Sequence, residues 1–106
     1  MKKVQKKAQK NDQDDLNILT KIKINPQSSQ RELAYDLGLS LGKLNYCLKG
    51  LREKGLIKIK NFSKQKNKVK YIQYILTAEG ISERTKLTIN FMKRKMKEYD
   101  ELKKNL

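Results

Sequence analysis

The sequence predicts a mostly α-helical chain with one small β-hairpin. Three observations carry this. Apolar residues recur at helical spacing in several stretches. Two short runs rich in alternating apolar residues, LIKIKNF (56–62) and VKYIQYIL (69–76), flank SKQKNK (63–68), which has no apolar residue. Pro26, Gly38 and Gly55 stand where one pattern gives way to the next. The 106 residues suit one small domain with an extension.

Residues 1–11, MKKVQKKAQKN, carry five Lys and little that is apolar, and read as a disordered basic arm. Leu16, Ile18, Leu19, Ile22 and Ile24 then predict a helix over about 13–24. Asp12, Asp14 and Asp15 would lie in its first turn, where the helix dipole favours anions. Pro26 ends it.

In the next stretch Ser29 and Glu32 form a capping box, and Leu33, Ala34 and Leu37 make an apolar stripe. Gly38 suits the left-handed position that closes a helix. Ser40 can cap a further helix carrying Leu41, Leu44, Leu48 and Leu51 on one face, closed by Gly55. Two helices joined by so short a Gly-containing turn read as a helix-turn-helix, in preference to an ordinary helical hairpin. A strand, a basic loop and a second strand directly afterwards read as a wing, in preference to a solvated hairpin whose Lys residues guard an edge.

The remaining segment opens with Thr77 as a cap and Glu79 in the first turn. A helix over 78–105 would run about 40 Å, too long to pack wholly on so small a domain. Thr85, Thr88, Met92, Lys95, Tyr99, Leu102 and Leu106 recur at spacings of three and four, with Leu87, Phe91 and Met96 widening the stripe. Such a stripe needs a partner, and a second copy is the simplest one. The expected organisation is a disordered arm over 1–11, a winged helix-turn-helix domain over 12–77, and a long C-terminal helix over 78–106 that makes a homodimer as a coiled coil.

Charge narrows the function. Lys and Arg number 26 and Asp and Glu 11, a formal net charge of +15. Between Leu37 and Ala78 there are ten Lys or Arg and one acid, Glu53. Such segregation points to a polyanion, with nucleic acid ahead of an anionic membrane surface. There is no His, a single Cys and no long apolar run. Enzymatic acid–base work, a zinc site, an internal disulfide and a membrane span all lack their residues. No signal peptide is legible, and the expected location is the cytoplasm. No cofactor or metal is expected, and Cys47 reads as a packing residue.

With the Leu face turned inward, the helix from Leu41 to Lys54 would offer Lys43, Asn45, Tyr46 and Lys49 to base edges in a major groove. Lys donates to guanine, and Asn pairs with adenine through two hydrogen bonds. Tyr46 would stack on a sugar or touch a thymine methyl. Ser29, Gln30 and Arg31 open the preceding helix where backbone N–H groups favour phosphate, and Ser40 and Arg52 join them as candidate backbone contacts. Lys64, Lys66 and Lys68 would follow the DNA from the wing tip. Thr88, Met92, Lys95, Tyr99, Leu102 and Leu106 are the candidate dimer seam.

The stretch RELAYDLGLSLGKLNYCLKGLREKGLIKIKNF, followed by YILTAEGI and a helix ending FMKRKMKEYDELKK, resembles the short MarR-family regulators called EPS-associated transcriptional regulators. The resemblance covers about Asp15 to Lys104. Its specific parts are Leu37–Leu51, EKGL (Glu53–Leu56) and LTAEG (Leu76–Gly80). It implies a dimeric winged-helix transcription factor linked to bacterial exopolysaccharide genes. The chain departs from the broader MarR pattern at the wing, where SKQKNK has neither the Asp nor the Arg that typical members carry. It also departs in relying on one long terminal helix, so no effector site is carried over to any residue.

The function expected is sequence-specific binding of double-stranded DNA by a homodimeric repressor. Two alternatives are an RNA- or ribosome-associated basic protein, with Tyr46, Tyr71 and Tyr74 as stacking candidates, and an adaptor that uses its long helix to join another protein.

Overall fold

The computed structural model describes the backbone of residues 2–64 and 69–106, and the side chains of 12–60 and 73–106. Its elements in chain order are α1 (Lys2–Ile24), α2 (Gln30–Leu37), α3 (Leu41–Glu53), β1 (Ile57–Lys64), β2 (Val69–Leu76) and α4 (Ala78–Lys104). This is the mostly helical winged helix-turn-helix with a long C-terminal helix that the sequence predicts.

Two expectations about the start of the chain are corrected. Helix α1 begins at Lys2, not near residue 13, so the supposed disordered arm is helical backbone. Lys, Gln and Ala are strong helix formers, and no Gly or Pro interrupts them. Asp12, Asp14 and Asp15 therefore lie in the middle of a helix, and its first turn holds no acid. The dipole cannot be their reason. Asp15 instead reaches Lys54 at 3.7 Å, just past the end of α3.

The predicted serine caps are in place, with the serine half of the expected Ser29–Glu32 box formed. Ser29 Oγ accepts from the Glu32 N–H at 3.1 Å, and Ser40 Oγ accepts from the Lys43 N–H at 3.1 Å. Gly38 adopts φ 67°, the left-handed turn that lets α3 follow α2 after only three residues. The Leu39 N–H donates to the Ala34 carbonyl across this turn at 2.9 Å.

Strands β1 and β2 pair antiparallel from Ile57 opposite Leu76 to Lys64 opposite Val69. The first strand runs two residues beyond the predicted Phe62, into the segment expected as loop. Ile57 is buried and Ile59 packs on the core, while Lys58 and Lys60 face outward.

The core gathers Leu16, Ile18, Leu19 and Ile22 of α1, Leu33 and Ala34 of α2, Leu44, Leu48 and Leu51 of α3, Ile57 of β1, Tyr74 of β2 and Leu87 of α4. Every element contributes, so the helix-turn-helix is fixed from behind by α1, the sheet and α4. Leu41 is the exception on the α3 stripe. It is 42% exposed, because the first turn of α3 projects past the elements that cover the other leucines.

The root of the hairpin is fastened at one point. The Thr77 N–H donates to the Leu56 carbonyl at 3.0 Å, and Thr77 Oγ1 donates to the Gly55 carbonyl at 2.6 Å. The same Oγ1 accepts from the Gly80 N–H at 3.0 Å and so caps α4. A Cβ on Gly80 would overlap the Leu56 carbonyl oxygen. This explains the LTAEG stretch physically: a cap and a residue without a side chain, where α4 meets the α3–β1 turn.

Candidate nucleic-acid interface

Helix α3 turns one face to the core and the opposite face outward. Burial of Leu44, Leu48 and Leu51 orients it. Gly42, Asn45, Tyr46, Lys49 and Arg52 are exposed as a consequence, Tyr46 by 73%. Lys43 is half-buried, and its Nζ lies 5.6 Å from the centre of the Tyr46 ring. A cation over an aromatic face is attracted by the ring's negative quadrupole. The two side chains thus form one unit on the first turns of α3, the part of such helices that usually meets base edges.

The expected backbone contacts divide. Ser29, Arg31 and Ser40 are exposed beside the N-termini of α2 and α3. The two serines use an oxygen lone pair for capping, which leaves each hydroxyl hydrogen available to an outside acceptor. Gln30 does not behave as expected. Its Nε2 donates to the Tyr74 hydroxyl at 2.6 Å, so its side chain ties α2 to β2. Tyr74 itself is buried, which takes it out of the set of stacking candidates.

Lys64 closes β1 as backbone, opposite Val69. Lys66 and Lys68 lie outside the described residues, and the side chains of Lys64 and Tyr71 are likewise outside them. Three exposed residues escaped the sequence reading: Lys58 and Lys60 on the outward face of β1, and Tyr35 on α2, 87% exposed. The two lysines were legible in the alternation IKIK. Tyr35 sits four residues from Arg31, on the same side of α2, as helical spacing alone would have indicated.

Acids and bases mix beside the C-terminal half of α3. A shallow groove of about 340 Å³ beside α3 is lined by Asp15, Cys47, Lys49, Glu53 and Lys54 among others. A neighbouring hollow of about 280 Å³ brings Asp12 and Asp15 of α1 and Glu83 of α4 around Lys54. Burial pushes the Asp15 carboxyl above its ordinary range, Lys54 pulls it partly back, and Asp12 and Asp14 push it up further. Asp12 and Asp15 of α1 and Glu83 of α4 thus gather around Lys54 at the C-terminal end of α3, and Tyr46 borders the groove that Asp15 also lines. Cys47 is half-buried against the core. Burial raises its thiol above the usual range although Lys43 draws it down. That is the wrong direction for an activated nucleophile.

No three His, Cys, Asp or Glu side chains among the described residues are grouped so as to hold a metal ion. Nor is any helix among them long and apolar enough to cross a membrane.

On helix α4 two apolar faces separate. Gly80 and Leu87 are buried and Phe91 packs on the core, all on one side. Met92 and Tyr99 are 56% and 65% exposed, about a quarter turn or more away at 100° per residue, and Leu102, 69% exposed, lies near the line of Phe91 three turns further along. The single broad stripe expected from the sequence is thus two, and Leu87 and Phe91 belong to the domain.

Residues 11–58 match a family model described as winged helix-turn-helix DNA-binding. No curated protein matches the chain. Among solved structures it is similar to the PcaV transcriptional regulator from Streptomyces coelicolor in complex with its natural ligand, at 18% identity over 74% of this chain and 54% of that one, with a TM-score of 0.62. It is similar to ZitR, a zinc-responsive MarR family member of Lactococcus lactis, at 22% identity over 88% and 61% with a TM-score of 0.62. It is also similar to the transcriptional repressor CouR bound to a 23-mer DNA duplex, at 22% identity over 82% and 59% with a TM-score of 0.64. At these identities the likeness shows the fold, and the chain spans only a little over half the length of the structures first matched.

Proposed function

We propose that the chain is a MarR-type transcription regulator that binds double-stranded DNA in the cytoplasm as a homodimer. The observation that carries this reading is the outward face of α3. Asn45, Tyr46, Lys49 and Arg52 are exposed there, Lys43 rests on Tyr46, and Asp12, Asp15 and Glu83 gather around Lys54 at the far end of the helix. Lys43, Asn45, Tyr46 and Lys49 read bases. Ser29, Arg31, Ser40 and Arg52 hold phosphates, and Lys64, Lys66 and Lys68 extend the contact along the backbone. Gln30 serves the site by holding the root of the wing against α2.

The mode of action proposed is repression, because a dimer seated across a promoter excludes polymerase without further machinery. The proposed targets are exopolysaccharide genes, on the strength of the resemblance in Leu37–Leu51 and Leu76–Gly80. Two α3 helices related by a dimer axis would read half-sites about one helical turn apart, so the operator should be an inverted repeat.

The test is selection of fragmented genomic DNA by the purified protein at about 150 mM salt, where purely electrostatic binding is much reduced. Recovery of a few fragments sharing an inverted repeat supports the reading and names the genes. Recovery of fragments without a common motif overturns it and turns attention to RNA or to a protein partner of α4.

A further inference from the structure

The seam positions of α4 alternate at spacings of four and three, as any heptad seam does, but the charges beside them are unevenly placed. Thr88, Met92, Lys95, Tyr99, Leu102 and Leu106 are spaced symmetrically about residue 97. Read inward from either end, they form three pairs: Thr88 with Leu106, Met92 with Leu102, and Lys95 with Tyr99. Charge follows the same centre. The basic run Lys93, Arg94 and Lys95 lies on one side of it, the acidic run Glu98, Asp100 and Glu101 on the other, and Lys97 at the centre itself.

We infer that two copies of this chain pair through α4 in antiparallel orientation, with the two-fold axis passing beside Lys97. The inference rests on the homodimer reading above and adds orientation and register to it. In this register each pair just named becomes one layer of the seam. Met92 meets the partner copy's Leu102, and Thr88 meets its Leu106. Lys95 meets its Tyr99, a cation against an aromatic ring. The basic run comes level with the acidic run of the other copy, and the two helix dipoles oppose. A parallel, in-register pair would set like against like throughout. Lys95 would face Lys95 inside the seam, and the two basic runs would lie side by side.

The surfaces are available in the single chain. Met92, Tyr99 and Leu102 are mostly exposed, Met92 and Tyr99 because they turn away from the core-facing side of α4 and Leu102 because it lies beyond Phe91, the last residue packed on the core. The geometry also suits the proposed operator. The domain grips α4 between Gly80 and Phe91, about 18 Å along the helix from the axis at residue 97. Two domains would therefore stand about 35 Å apart along the pair, close to one turn of DNA.

Single cysteines in a Cys47→Ser chain test orientation. Met92→Cys and Leu102→Cys are made separately at these exposed positions, where the fold has little at stake. Each is treated with a short bis-maleimide alone and after mixing and subunit exchange, and each is sedimented beforehand beside the parent chain. The expected result is a sedimenting dimer and a covalent dimer formed about tenfold or more in the mixture over either variant alone, because held neighbours react far above bulk concentration. A sedimenting dimer in which each variant links to itself overturns the antiparallel pairing and leaves the dimer standing. A sedimenting dimer with no links in any combination removes α4 as its seam. A parent chain that itself sediments as a monomer overturns this inference and the homodimer reading together.

Discussion

Gly80 has no room for a side chain, because the Leu56 carbonyl oxygen occupies the place a Cβ would take. Gly80→Ala is expected to destabilise the fold by about 1–3 kcal/mol, since backbone on both sides must shift; urea melts read this directly. Asn45, by contrast, is exposed at the outward face of α3. Asn45→Ala should leave the melt unchanged and lower discrimination at one base pair by about 1–3 kcal/mol, measured by competition between operator variants at fixed salt. Asp15 sits between these cases. Its folded carboxyl binds its proton more tightly than the ordinary value of 3.8 allows, first because of burial. The folded state therefore holds more protons than the unfolded chain above that value. Stability from this group is fully present below 3.8 and is lost as pH rises through the higher folded value. Asp15→Asn should thus gain on the parent at about pH 7 and lose the advantage at about pH 3, as melts at the two pH values would show.

Elements were legible where their signals were local. The caps Ser29, Ser40 and Thr77 each act within three residues, and each appears as predicted. Gly38 was equally plain, and its φ of 67° makes a test: Gly38→Ala should cost about 1–2 kcal/mol through left-handed strain, and the loss should appear as a lower melting midpoint with DNA contacts untouched. The start of α1 was not legible from apolar periodicity, because the first residues are helical by intrinsic propensity and carry hardly any apolar pattern. Nor could spacing reveal that Gln30 would turn away from solvent. Its partner Tyr74 is 44 residues distant, and nothing in the local sequence announces the pair. The α4 stripe shows the same limit from another side. Leu87 and Met92 both fit a helical repeat, yet one is buried in the domain and the other is exposed, since only tertiary packing decides which face the core takes.

At the scale of the whole molecule, the chain extends 62 Å by 26 Å by 26 Å, a small head with α4 running past it. The formal charge of +15 is shared between that head and the helix. If each copy of a dimer neutralises about five phosphates, the logarithm of DNA affinity should fall with the logarithm of salt at a slope near −9. A chain ending at residue 91 should give about half that slope, since it would bind as a single head; titrations at several salt concentrations separate the two. The hairpin adds one more consequence. Its ends are tied together at Gly55, Leu56 and Thr77, and none of those bonds involves the far end of the strands. Residues inserted between Lys64 and Val69 therefore leave the helices where they are, and each doubling of a flexible connection costs only about 0.6 kcal/mol. If the hairpin follows DNA as proposed, the span of duplex it reaches is an adjustable dimension, open to lengthening, shortening or exchange by natural variation or by a protein engineer, on a scaffold that does not register the change.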